Sequence, residues 1–114
     1  MSETYAKYTQ ELSASIGALR KDIPDVMQGF SSMASAALAE GALNKKTKEL
    51  IALAIGVAGH CKGCIGFHVK ALIALGVTRE ELTETLGMAV YMGGGPSLMY
   101  AAEAMQAFEE FSGK

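Results

Sequence analysis

KKTKELIALAIGVAGHCKGCIGFHVKALIAL, residues 45–75, decides the fold class of this 114-residue chain. Asn44 precedes it as a natural N-cap, and Lys45, Lys46 and Lys48 form a polar first turn. Leu50–Ala58 then runs apolar on every side of a helix, so it is expected to be buried on all sides. So short a chain has few ways to surround a helix, and a subunit interface is the simpler expectation. Gly59-His60-Cys61 breaks the run and opens a fourth helix that continues to about Leu75, closed by Gly76.

The flanks carry the same helical periodicity. A first amphipathic helix is expected from about Glu3 to Lys21, with Tyr5, Tyr8, Leu12, Ile16 and Leu19 on one stripe. Pro24 opens a second, with Val26, Met27, Phe30, Met33, Ala37 and Leu38 apolar, ending at Gly41. Thr78 followed by Glu81 is a capping box for a fifth helix to about Met92. Gly93-Gly94-Gly95 serves as a connector, and Pro96 starts a last helix to about Phe111. No strand pattern, repeat or low-complexity linker competes. The expectation is a single all-α domain of about six helices.

Composition narrows the function. The chain is 12.0 kDa, 50% hydrophobic and 19% charged, with net charge −2. That apolar fraction excludes disorder, and the absence of a Lys/Arg stripe excludes a nucleic-acid footprint. The N-terminal twenty residues lack the apolar core of a signal peptide, and the glycine-proline break within Leu86–Ala102 argues against a membrane span. A cytoplasmic protein is expected. In that compartment two cysteines separated by two residues point to redox chemistry or a metal.

Cys61, Cys64 and His68 lie within roughly 60° of one another on a helix. Cys64 and His68 are i,i+4 neighbours, so the imidazole can take a thiol proton, and the helix N-terminus favours the thiolate. Glu49 stands at the start of the apolar run, where a carboxylate needs a partner. Helix geometry leaves two choices for it: an imidazole from elsewhere, or Lys45 or Lys46 on its own helix. Zinc held by Cys61, Cys64 and His68 with His60 or Glu49 is a weaker alternative, because a distant second ligand pair is missing. Haem attachment is excluded by Ile65 after the second cysteine. Met88, Met92, Met99 and Met105 read as packing or an interface, and Tyr91 and Tyr100 as core or pocket lining.

Glu49, Cys61, Cys64 and His68 together resemble the E-x11-C-x2-C-x3-H pattern of AhpD-like alkylhydroperoxidases in the carboxymuconolactone decarboxylase superfamily. The ELIALAIGVA segment, the Ala-Leu-Gly ending of the next helix and Thr78-Arg-Glu-Glu-Leu fit as well. The resemblance covers Ile23–Phe111, so the expected organisation is an N-terminal helix over residues 1–22 and a superfamily domain over 23–112. It implies a thiol-dependent peroxidase with Cys61 and Cys64 as redox pair and Glu49 and His68 as proton relay. It also implies no bound cofactor, reduction by an external dithiol such as a lipoyl protein, and a helix-swapped or interface-rich homo-oligomer, trimer or hexamer. Gly63 departs from the peroxidase members, which carry a histidine between the cysteines; here His60 precedes Cys61. Two other functions remain in view: a decarboxylase-type lyase, whose lactone-decarboxylating members do not rely on a CxxC pair, and a non-enzymatic redox or zinc-responsive module.

Overall fold

The structure, a computed structural model, describes residues 3–113. Six helices account for nearly all of them: α1 Tyr5–Asp22, α2 Pro24–Leu38, α3 Lys45–Ala58, α4 Lys62–Ala74, α5 Arg79–Gly93 and α6 Gly95–Ser112. The all-α expectation holds, and the caps fall largely where the sequence puts them. Thr4 caps α1, the Asn44 side chain accepts the Thr47 N–H at 2.8 Å, and Thr78 and Glu81 form the full capping box of α5.

Two ends differ. Helix α2 stops at Leu38 rather than Gly41, because Ala39 turns extended and its carbonyl accepts the Lys48 ammonium at 2.5 Å. The glycine connector shrinks to Gly94, since α5 runs through Gly93 and α6 begins at Gly95. A φ of 80° at Gly94 makes this one-residue reversal possible.

Helices α3–α6 pack around Leu53, Val57, Ile65, Leu72 and Leu82, all fully buried. Ala101, Ala104 and Ala107 present a small-residue face that lets α6 approach closely. Lys46 pairs with Glu81 at 2.9 Å, tying the starts of α3 and α5 together. The Thr78 backbone N–H, and then Lys46, hold the Glu81 carboxyl below the usual carboxylate range. The stability this contributes is present above the ordinary carboxylate pKa and is lost as pH falls through the lowered one.

Helix α1 docks across α4 and α6. Tyr5 is buried, its hydroxyl donates to Glu103 and its backbone N–H to Glu110 at 2.6 Å. Burial and the adjacent Glu103 carboxylate push the Tyr5 phenol well above its normal pKa. A Cβ on Gly66 of α4 would stand 2.5 Å from the Thr9 methyl and 3.2 Å from the Tyr5 ring. Both are buried and rigid, so Gly66→Ala is expected to destabilise the fold by about 1–3 kcal/mol and to loosen α1. Denaturant melts together with proteolysis of α1 check both effects.

Helix α2 has no buried residue. Its Phe30 is 61% exposed, with Val26 and Met33 similar, and Ile55 on α3 is 67% exposed. The expectation that α3 is buried on all sides is therefore met on only one face of the single chain. A radius of gyration of 14.4 Å, against about 13 Å for a compact chain of this length, reflects the splayed α2.

Candidate active site

The end of α3 creates the site. The Cys61 N–H reaches the Gly56 carbonyl at 2.9 Å, and the His60 N–H reaches the Val57 carbonyl at 3.1 Å. This is a Schellman ending with His60 in the left-handed position, φ 57°. Helix α4 ends the same way, with Gly76 at φ 77° in the matching place. A non-glycine residue there costs about 1–2 kcal/mol. The His60 ring stacks on Tyr100 of α6, centroids 4.9 Å apart and planes within 5°, a contact worth about 0.5–1.5 kcal/mol.

After that turn Cys61 becomes the N-cap of α4, its Sγ accepting the Cys64 N–H at 3.2 Å. The two cysteines are joined as a disulfide, with Cα atoms 5.2 Å apart. Cys64 fits against α3 because Gly56 has no side chain: a Cβ there would meet the Cys64 Cβ at 2.9 Å.

One turn beyond Cys64, His68 Nδ1 lies 2.6 Å from Glu49 Oε1. Glu49 is 4% exposed, whereas the His68 side chain keeps 30% of its surface. The two partners open to Glu49 thus resolve in favour of the imidazole, while Lys46 is engaged by Glu81. A carboxylate so buried fixes the tautomer and orientation of the ring. All four expected residues lie along the α3–α4 hairpin. Among the described residues no group of three or more His, Cys, Asp or Glu is arranged to hold a metal.

His68 opens onto a hollow of about 350 Å³ lined by Ala34, Ala37, Leu38, Lys48, Ile51, Ala52 and Ile55. Its lining is almost wholly apolar apart from Lys48 and His68. A larger open groove of about 710 Å³, between α1, α4 and the end of α6, contains neither cysteine nor His68. Helix α1 covers Gly63, the residue directly before Cys64. A Cβ on Gly63 would lie 2.9 Å from Leu12 Cδ2 and 4.0 Å from the Tyr8 hydroxyl, so α1 takes the space a histidine at 63 would need. Lys62 sits 4.6 Å above the Tyr8 ring. Neither this cover nor the His60–Tyr100 stack is legible in helical periodicity or residue spacing. A histidine directly after a helix-ending glycine is the one signal that could have exposed the stack.

An all-helical hairpin that presents a CxxC disulfide beside a buried Glu–His pair defines a helical dithiol protein. Residues 24–107 match the carboxymuconolactone decarboxylase family, and the chain belongs to that family. It is similar to the crystal structure of an apo carboxymuconolactone decarboxylase family protein from Legionella pneumophila. The two share 62% identity with a TM-score of 0.92, over 95% of this chain and 96% of that one. It is also 38% identical to an uncharacterized protein of Cupriavidus necator over 87% of this chain and 88% of the relative. An uncharacterized protein encoded in the cox locus of Paracoccus denitrificans is 32% identical over 89% and 91%. No helix among the described residues is long and apolar enough to cross a membrane.

Proposed function

We propose that this chain is a thiol-dependent peroxidase that reduces hydroperoxides through Cys61 and Cys64, with Glu49 and His68 as the proton relay. The supporting observation is the 2.6 Å contact of a buried carboxylate with an imidazole one helical turn from Cys64. His68 takes the Cys64 proton, and the thiolate attacks the terminal oxygen of the hydroperoxide. The O–O bond breaks, His68 returns the proton to the leaving alkoxide, and Cys64 is left as a sulfenic acid. The Cys61 thiol condenses with it, releasing water and forming the disulfide. An external dithiol, of the lipoyl-protein kind, then passes two electrons and two protons to the pair by exchange.

No resident cofactor enters this cycle, and the setting we propose is cytoplasmic. The exposed apolar faces of α2, α3 and α5 are covered in our proposal by further copies of the chain, as a trimer or hexamer. Sedimentation is expected to give a mass several times 12.0 kDa, and a monomer would remove this part. The decisive test is a single turnover of reduced, metal-free protein with one equivalent of an organic hydroperoxide. Loss of both thiols with one alcohol formed per disulfide is expected. Thiols that react no faster than free cysteine overturn the peroxidase reading and direct attention to lactone substrates and zinc.

A further inference from the structure

His60 has no part in the relay, yet it occupies a costly conformation next to the disulfide. The same chain uses glycine for the equivalent turn at Gly76, so the turn alone does not require a histidine. The difference between the two turns is the ring: His60 lies parallel against Tyr100, which belongs to another helix. The backbone from His60 leads directly into Cys61, whose N–H is held by Gly56, the same residue that seats Cys64. The stack therefore straps the cysteine-bearing turn to α6. A turn held in this way keeps the two sulfurs near each other after the disulfide opens, and a higher effective concentration of one thiol at the other favours re-closure.

We infer that His60 is a positioning residue, and that its stack on Tyr100 shifts the dithiol–disulfide equilibrium of Cys61 and Cys64 toward the disulfide. This rests on the redox reading of the pair proposed above. Exchange with dithiothreitol measures it: the reagent's two thiols become a cyclic disulfide while Cys61 and Cys64 become thiols, with two electrons and two protons transferred. His60→Gly is the informative variant, because glycine accepts the left-handed turn without strain and the fold is kept. Tyr100→Leu removes the stack from the other side, and His60→Phe keeps an aromatic ring on Tyr100.

The equilibrium constant for reduction is expected to rise about three- to tenfold in His60→Gly and in Tyr100→Leu, a range set by the worth of one aromatic stack. The double variant should gain no more than either alone, and His60→Phe should stay near the parent. An unchanged constant in His60→Gly overturns the inference, as does a His60→Phe shift as large as that of glycine. If His60→Gly melts early, additive shifts in the double variant overturn it. The assay contains no peroxide, so failure of the peroxidase proposal would appear separately, as slow oxidation of wild-type thiols.

Discussion

Cys64→Ser is expected to lower hydroperoxide turnover by at least about 10³-fold, to the background rate, with helix content unchanged. Serine is nearly the size of cysteine and fits against Gly56, while its hydroxyl stays protonated beside an imidazole that suffices for a thiol. Cys61→Ser should also abolish turnover, at a different step. One alcohol per subunit still forms, and the sulfenic acid on Cys64 then persists or is oxidised further. Intact mass and alcohol release distinguish the two variants. If they exchange phenotypes, Cys61 is the attacking residue; if either retains more than about a tenth of parental turnover, the pair is not the reactive centre.

Glu49→Gln is expected to reduce the rate of thiol oxidation about 10²-fold, the lower end of what an acid–base group contributes. The amide still accepts a hydrogen bond from His68 Nδ1 and holds the ring, while the negative charge that would face the protonated ring is gone. Glu49→Leu separates this role from folding. Leucine fills the buried site, and His68, 30% exposed, turns to water for its lost partner. The stability change should therefore stay below about 2 kcal/mol, with activity falling to the level of His68→Ala. Parental activity in Glu49→Leu would remove Glu49 from the relay.

Local rules made much of this molecule legible. Asn44, Thr78 and Glu81 cap where short-range hydrogen bonding dictates, and Pro24 opens its helix because its fixed φ suits the first turn. The stop of α2 was not legible, because Lys48, on another helix, takes the Ala39 carbonyl and outweighs the glycine signal at Gly41. Nor did the apolar stripe of α2 show that none of its residues is buried within the single chain. Periodicity reports that a face is apolar and is silent on what covers it.

The same division runs through the site. Spacing along one helix put Cys61, Cys64 and His68 in register, because i,i+3 and i,i+4 neighbours share a face wherever the helix goes. The partner of Glu49 lay beyond that rule: His68 is 19 residues away, whereas Lys45 and Lys46 stand one helical turn before Glu49 in sequence. Packing of α3 on α4 through Gly56 brings the imidazole to the carboxylate, and Glu81 of α5 takes up Lys46. The chain order thus specifies the reactive groups and their register along α4. The pairing of His68 with Glu49 is a half-buried contact between two helices, which exists only once they have closed around the glycine.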